Sequence, residues 1–278
     1  MKRTCKELKR LSRKNLLGNY GGAMLAMLIV SLIQTIVMSP FENQISSYQR
    51  NIALGTANSA SVTMTYNTFP VFAFIGIIIV GLVATILQGG LISYHLKLSR
   101  GGEKPSLSMV FSQFKHRPDR YIVATLLMIL IIFACMVPGI VLITVASTTP
   151  ALGGGLVFPG IFLLIAGYVL IIWLSLRFTL IYAILADHPE CGAVESMKQS
   201  FSMMKGNCGR ALYIVFSFIP MALLVLLSLG IAELWVSPYI TNVNTMFYLD
   251  VCGELDFKEE ERRRMDEEMG PVLSDEEF

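Results

Sequence analysis

Long apolar runs alternate with short polar segments over most of the chain. A bilayer core about 30 Å thick is crossed by roughly 20 helical residues, so uncharged runs of that length predict membrane spans. Four such runs are clear and a fifth is nearly so, at about 21–39, 71–93, 121–147, 156–176 and 211–232. The pattern predicts an all-α polytopic membrane protein.

A sixth, weaker helix is predicted over about 234–251, where apolar residues recur at helical spacing between Pro238, Asn242 and Asn244. With this helix, residues 21–252 form a six-helix transmembrane bundle built as three hairpins. Pro138 and Pro220 lie in the middle of spans and predict kinks there. The first 20 residues are predicted to form an amphipathic helix.

The composition agrees with a lipid environment. The 278 residues are 54% hydrophobic and 15% charged, whereas a soluble domain has about 25% charged residues. A soluble globular enzyme is therefore excluded. The net charge is +2, but the charges are distributed unevenly along the chain. Twelve of the 20 acidic residues lie from Asp250 onward, and seven basic residues lie in the first 14 positions. These basic residues form no stripe with stacking aromatics, so no nucleic-acid partner is predicted.

The distribution of lysine and arginine predicts the orientation, since both are enriched in cytoplasmic loops. Three segments are rich in them: residues before the first span, between the second and third, and between the fourth and fifth. The connections after the first and third spans contain one basic residue, Arg50. The N-terminus is therefore expected in the cytoplasm. Six spans return the C-terminus to the same side, which agrees with the basic cluster at 262–264.

The three basic segments predict interfacial amphipathic helices on the cytoplasmic side, and two of them share a pattern with an offset of ninety residues. The matching positions are Phe111, Ser112, Lys115 and Arg120 in one segment and Phe201, Ser202, Lys205 and Arg210 in the other. We interpret the chain as three copies of one unit, in which an interfacial helix leads into a transmembrane hairpin. The alternative is a chance match between short basic loops.

No catalytic, cofactor-binding or metal-binding residue is predicted. The sequence contains neither an HExxH nor a GxSxG motif. His95, His116 and His188 lack metal-ligand spacing, and the five cysteines form no CxxC pair. Ionisable residues inside apolar runs usually mark ion or substrate paths, and this chain has almost none. We therefore expect a non-enzymatic protein without cofactors.

Uncharged polar residues in the spans define one candidate site. Gln34 of the first span and Gln88 of the second are expected to bond between packed helices, at roughly 0.6 to 2 kcal/mol per bond. The functional alternative is a polar cavity completed by Asn242 and Asn244 of the sixth helix, with Glu233 at its outer turn. Such a cavity suits a neutral or zwitterionic solute or a lipid headgroup.

Residues 253–278 are predicted to form an acidic cytoplasmic tail that is solvated and disordered. From Glu254 onward the tail contains eleven acidic residues against four basic ones. Within it, the run at 259–269 has the composition of a short helix. The tail is a candidate surface for a partner.

Four segments of the chain carry a resemblance to a known family. They are residues 2–20, the turn Arg100–Glu103 with the phenylalanines that follow, the stretch from Tyr182 to Asn207, and Leu234–Tyr239. Together they resemble the DUF975 family, integral membrane proteins found mainly in Firmicutes, from residue 1 to about 252. The paired glycines at 101–102 depart from the single glycine usual there. The resemblance implies a helical protein of a bacterial plasma membrane and implies no activity.

These observations predict a non-enzymatic membrane protein that organises the cell envelope or binds a membrane partner. The expected partners are membrane lipids, another membrane protein or a second copy of the chain. The alternative function is transport or export of a small neutral or amphipathic solute or of a lipid, which requires a continuous polar cavity between the first, second and sixth helices. A lipid-modifying enzyme ranks last, because no nucleophile or acid/base pair is evident.

Overall fold

A computed structural model describes residues 3–55, 71–101, 105–149 and 153–268. Every regular element within these ranges is helical, as predicted. In chain order the helices are α1 (Cys5–Leu16), α2 (Tyr20–Gly55), α3 (Val71–Arg100), a short 3-10 helix (Leu107–Phe111), α4 (Ser112–Lys115), α5 (Asp119–Thr148), α6 (Gly153–Arg177), α7 (Ile181–Asp187), α8 (Ala193–Met203), α9 (Cys208–Phe216), α10 (Ile219–Leu227), α11 (Glu233–Val251) and α12 (Glu254–Glu268).

Five helical segments are long and apolar enough to cross a membrane, so the chain is a multi-pass membrane protein. The segments are Tyr20–Arg50, Val71–Arg100, Asp119–Thr148, Gly155–Asp187 and Cys208–Leu227. The sixth predicted helix exists as α11, but it does not belong to this group. The described residues therefore contain five candidate spans where the sequence predicts six.

Two spans depart from the predicted ranges. α2 continues through Pro40 to Gly55, well past the expected end at 39. A proline removes one helical hydrogen bond, and in a membrane helix the neighbouring turns compensate for it. The fifth span is interrupted after Phe216, and Pro220 lies in the first turn of α10, in agreement with the kink predicted there. α5 continues without interruption through Pro138.

α1 begins with a capping box. The Thr4 hydroxyl accepts a hydrogen bond from the Glu7 backbone N–H, and the Glu7 carboxylate accepts one from the Thr4 backbone N–H at 2.7 Å. Leu8, Ser12 and Leu16 recur every four residues and are buried against the bundle. The amphipathic helix predicted in the first 20 residues corresponds to α1.

Glycine contacts hold the long helices in two antiparallel pairs. Phe41 of α2 covers Gly76 of α3, where an added Cβ would lie 2.1 Å from the ring. α5 and α6 meet at Gly139, Gly160 and Gly167, where a Cβ would lie less than 3.0 Å from the facing helix. Close backbone approach of this kind stabilises helix pairs where surrounding lipid removes the hydrophobic driving force.

The two ends of the bundle differ in packing. We call the end that contains Arg3, Arg100, Asp187, Arg210 and Asp250 the polar end. Next to it, α3 is buried almost continuously from Ile86 to Leu98. The far half, defined as residues 71–85, 128–148, 153–174 and 219–231, carries most of the exposed large apolar side chains, and α10 buries none of its residues.

α11 is a core helix. It packs against α1, α2 and α3, and its residues from Val236 onward are largely buried. Val243 and Leu249 are fully inaccessible. The low hydropathy of α11 follows from this position, because its side chains contact other helices instead of lipid.

Each of three connecting segments ends in a residue with a left-handed backbone just before a span. These residues are Gly18 (φ 82°), Arg117 (φ 52°) and Gly206 (φ 80°), which precede α2, α5 and α9. A left-handed residue ends one helix and turns the chain into the next. These turns lie where the predicted repeat places the start of a span, and the three-unit repeat itself stays a prediction.

The prediction of a disordered tail is wrong for residues 254–268, which form α12. Glu254 and Lys258 pair one turn apart at 3.4 Å, and carboxylates of the same helix bond to arginines of the bundle. These external partners order a segment whose composition alone favours solvent. The remainder of the predicted tail, 269–278, lies outside the described residues.

Candidate functional site

Arg100 joins three parts of the chain at the polar end. Its Nη1 and Nη2 atoms donate to the two carboxylate oxygens of Asp187 at 2.6 and 2.8 Å, and its Nε and Nη2 atoms donate to Glu254 at 3.0 and 2.8 Å. The Tyr248 hydroxyl donates to the same Asp187 carboxylate at 2.9 Å. Bidentate arginine–carboxylate bonds fix geometry well, so this cluster holds the ends of α3, α7 and α11 together.

Arg3 forms a second cluster with carboxylates from the last two helices. Its guanidinium donates to Asp250 at 3.2 Å, to Asp256 at 2.8 Å and to Glu259 at 2.7 Å. Arg210 donates to Asp250 as well, and to the Arg3 carbonyl oxygen at 2.6 Å. The Asp250 side chain is fully shielded from solvent, and the two arginines balance its buried charge.

Arg120 occupies the position in the repeat that corresponds to Arg210, and it is buried. Its Nη1 atom donates to the carbonyl oxygens of His188 and Cys191 at 2.9 and 3.0 Å. Arg120 therefore fixes the turn that precedes α8, as Arg210 fixes the segment before α1. Each repeat arginine connects the start of a span to a distant backbone segment.

A cavity of about 870 Å³ lies beside the Arg3 and Arg100 clusters. It is enclosed by α1, the last turn of α3, part of α11 and the first turns of α12. The basic lining residues are Arg3, Arg10, Lys14, Arg100 and Lys258, the acidic ones are Glu7, Asp256 and Glu259, and the apolar ones are Leu11, Met246 and Leu255. A cavity of this size accommodates a small ligand.

Two of the basic lining residues, Arg10 and Lys14, form no ion pair with any residue that the structure describes. They are exposed and lie one turn apart on α1. By contrast, Lys9 and Arg13 lie over aromatic rings of the bundle, 4.5 and 5.7 Å from the ring centres. One face of α1 thus supplies cations to the cavity, and another face anchors the helix.

Ser99 connects the cavity wall to a buried polar group. The Asn242 side-chain amide donates to the Ser99 hydroxyl at 3.3 Å and lies 3.5 Å from Nδ1 of His95. Both Asn242 and His95 are completely buried. Asn242 is therefore a polar link between α11 and α3 beside the cavity.

Hydrogen-bond donors stabilise the charged form of two carboxylates at the polar end, Glu254 and Glu7. Hydrogen bonds from Arg100 hold the pKa of Glu254 below its ordinary value of 4.5. A hydrogen bond from the Thr4 backbone N–H lowers the pKa of Glu7 in the same way. The cavity wall thus contains both signs of charge, with five basic side chains and three acidic ones.

None of the five residues predicted to form a polar cavity lines this one. Asn242 is buried against α3, Gln34 is half-buried, and Gln88, Asn244 and Glu233 are exposed. Within the described ranges, no hydrogen bond joins any two of them, including the expected pair Gln34 and Gln88. A common cavity formed by these residues stays a prediction.

Sequence reasoning missed the arginine–carboxylate clusters. Arg100 and Asp187 are 87 positions apart, and Arg3 and Glu259 are 256 apart. From the sequence, a single acidic residue after an apolar run, such as Asp187, is interpreted as a helix cap. Nothing in that local pattern indicates that it pairs with a residue distant in the chain. The available signal is that Arg100 and Asp187 both follow predicted spans, at 71–93 and 156–176, on the same predicted side of the membrane.

The arrangement offers anion recognition beside an apolar surface. Arg10 and Lys14 provide donors that form no ion pair with the described residues, and Leu11, Met246 and Leu255 provide the apolar wall. In the part of the chain that the structure describes, no three histidine, cysteine, aspartate or glutamate side chains are grouped to hold a metal ion. The carboxylates that do gather at the polar end bond to arginine.

The fold and the site together define a multi-pass helical membrane protein with a charged end that contains a cavity. The chain belongs to the family described as "Protein of unknown function (DUF975)", whose profile matches residues 1–254. The match confirms the resemblance seen in the sequence. A comparison with curated proteins and one with solved structures gave no match.

Proposed function

We propose that this protein is a non-enzymatic membrane protein that binds an anionic amphiphile, a lipid with a phosphate headgroup, in the cavity at the polar end. The observation that carries the proposal is the presence of Arg10 and Lys14 beside Leu11, Met246 and Leu255 around one cavity. Phosphate oxygens accept charge-assisted hydrogen bonds from the two cations. The apolar wall favours a lipid over free phosphate.

The position of the cavity agrees with a lipid ligand. The spans that contain Arg100 and Asp187 end at the polar end, so the cavity lies near the level of the headgroups. The basic connecting segments favour a cytoplasmic location for this end, in a bacterial plasma membrane. Anionic lipids give the cytoplasmic leaflet a negative surface potential that attracts basic segments.

The contact between Arg3 and Asp250 supports a six-helix bundle of three hairpins with both termini in the cytoplasm. Because these residues form an ion pair, they lie on the same side of the membrane. A chain that leaves and returns to one side crosses an even number of times. Five candidate spans need one more crossing, and α11 leads the chain back to Asp250.

Binding of a short-chain phosphatidic acid to the full chain in neutral detergent tests the proposal. The double substitution R10Q/K14Q removes both unpaired cations. Each exposed charge contributes up to about 1 kcal/mol, so affinity is expected to fall roughly tenfold. The fall is measured as the ratio of dissociation constants between the variant and the unaltered protein.

The control is K6Q/K97Q, which removes the same charge from exposed residues outside the cavity lining. We expect this variant to bind like the unaltered protein. Inorganic phosphate and a phosphatidylcholine of equal chain length identify the ligand, and both should bind more weakly than phosphatidic acid. Equal losses in the two double variants, or binding that never saturates, would show that the cavity is not the site.

Transport or export of the same amphiphile is the second candidate function. It is favoured by the interruption between α9 and α10, where Lys9 of α1 donates to the Ser217 carbonyl oxygen at 3.1 Å. An interrupted span changes direction with less loss of hydrogen bonds than a continuous one. Fluorescent lipid movement across reconstituted liposomes separates the two functions, since a protein that only binds leaves the rate at its protein-free value.

A further inference from the structure

We infer that α12 is an acidic strap that occupies the cations of the polar-end cavity, and that an anionic ligand displaces it. This regulation rests on the proposed function, because strap and ligand use the same cavity. The strap is defined as residues 254–268. Its first turns form one wall of the cavity through Leu255, Asp256, Lys258 and Glu259.

Ion pairs attach the strap to the bundle. Asp256 and Glu259 bond to Arg3 at 2.8 and 2.7 Å, and Glu254 bonds to Arg100 at 2.8 Å. The strap also supplies one donor to the bundle, since the Lys258 ammonium donates to the Arg100 carbonyl oxygen at 2.9 Å. The two arginines that receive the strap are both lining residues of the cavity.

The strap makes few apolar contacts with the bundle. Leu255 is partly buried against the core, but Phe257 is 67% exposed and Met265 is 52% exposed. Of the three ion pairs named above, those of Glu254 and Glu259 are exposed, and exposed pairs contribute about 0–1 kcal/mol each and weaken as salt is added. The attachment is therefore weak enough for a competing anion to replace it.

Carboxylates and phosphates accept hydrogen bonds from the same guanidinium N–H groups. Arg10 and Lys14 are available to an incoming phosphate while the strap is in place. Once the phosphate is held there, its oxygens compete with Asp256 and Glu259 for Arg3. Ligand binding then exchanges one set of acceptors for another and leaves no arginine without a partner.

The family match ends at the first residue of the strap. Residues 1–254 match the family profile, and this range includes Arg3, Arg10, Lys14 and Arg100. Asp256 and Glu259 lie outside it. The cations of the cavity therefore lie inside the matched range, and two of the three strap carboxylates that bond to the bundle lie beyond it.

Hydrogen–deuterium exchange on the full chain tests the strap without any substitution. Short-chain phosphatidic acid should raise exchange in residues 254–268, because the displaced helix loses its partners. A phosphatidylcholine of the same chain length should leave this exchange unchanged. Slower exchange in the strap on adding phosphatidic acid would overturn the inference, since it would show that ligand and strap bind together.

The variant D256N/E259Q tests the competition directly. Removing the two strap carboxylates that bond to Arg3, while Asp250 keeps its bond to the same guanidinium, should tighten phosphatidic acid binding by about threefold or more and raise exchange in the strap before ligand is added. The matched control is E260Q/E261Q, which removes two exposed carboxylates of the same helix outside the cavity lining. That control should leave the dissociation constant unchanged.

Failure of the strap and failure of the proposed function give different results. Saturable binding that R10Q/K14Q weakens, combined with no change in D256N/E259Q, would leave the site in place and refute the strap. Binding that is insensitive to R10Q/K14Q would refute the site itself. If the double variant D256N/E259Q unfolds, the single substitution D256N provides a milder test. Its affinity for phosphatidic acid should be higher than that of the unaltered protein, by less than the change expected for the double variant.

Discussion

The two halves of the molecule are stabilised differently. Near the polar end, apolar side chains of α3 and α11 are buried against several neighbours, and arginine–carboxylate clusters join distant parts of the chain. In the far half, α5 and α6 contact mainly each other, through glycines, and their outer apolar side chains are exposed. Membrane solvation accounts for the second arrangement, whereas the first requires specific partners.

This difference indicates where a substitution has consequences. A residue in the far half that faces outward has lipid as its neighbour, and one apolar side chain there replaces another at little cost. A buried residue at the polar end, such as Asp250, has a defined partner, and losing that partner leaves a buried charge or a steric conflict. The proposed binding site lies in the half with defined partners.

The largest expected effect comes from Asp250. D250N removes the charge that balances Arg3 and Arg210 and leaves both arginines without it. Breaking a buried ion pair costs about 3–5 kcal/mol, so we expect a similar loss in the free energy of unfolding. Thermal unfolding in detergent measures it.

E233Q is the matched control for D250N, because Glu233 is an exposed carboxylate at the other end of the same helix. It should unfold like the unaltered protein. If D250N and E233Q are equally stable, the arginine cluster does not stabilise the polar end. That result would contradict the conclusion that specific ion pairs distinguish the polar end from the far half.

A smaller effect is expected from Gly90. A Cβ at this position would lie 1.8 Å from the Val110 carbonyl oxygen, where the segment before α4 packs on α3. Overpacking of this kind costs about 1–3 kcal/mol, so G90A should unfold at a lower temperature. On the same helix, Gly81 in the far half has no atom within 4 Å of an added Cβ, and G81A should be neutral or slightly stabilising. Equal behaviour of the two variants would contradict the packing described here.

The smallest expected effect is a weaker attachment of the strap to the bundle at low pH. Arg100 lowers the pKa of Glu254 below 4.5, so the pair stabilises the strap fully above that pH and loses its contribution as the pH falls through the lowered pKa. Below pH 4.5, the protection of residues 254–268 from exchange, measured relative to the intrinsic rate at each pH, should fall, while the protection of α6 in the far half should not. E254Q should remove part of this dependence, and an unchanged pH profile in that variant would assign the effect to other carboxylates.

The spans could be predicted from the sequence because their signal is local. Twenty uncharged apolar residues suffice to indicate a helix in lipid, and the structure places a helix at each predicted run. The ends of the spans are harder to predict than their positions. α2, for example, continues through Pro40, where the hydropathy of the sequence falls. A helix end depends on neighbouring turns and partners, which hydropathy does not report.

The site could not be predicted, because the contacts that form it join residues far apart in the sequence. Asn242 is a buried polar residue, but its partners Ser99 and His95 lie 143 and 147 positions earlier in the chain. Gln88 has the same polar character and faces outward. The difference between the two arises from helix rotation within the bundle, which a sequence without strong periodicity does not specify.

The contact between Arg3 and Asp250 also sets the order in which the protein is completed during synthesis. Arg3 leaves the ribosome 247 residues before its partner. At about 5–20 residues per second, the start of the chain waits roughly 10–50 s in the membrane before that partner exists. α1 therefore gains this contact only after α11 has been made, although α1 itself is made first, and a nascent chain interrupted before Asp250 lacks this link between the two ends of the chain.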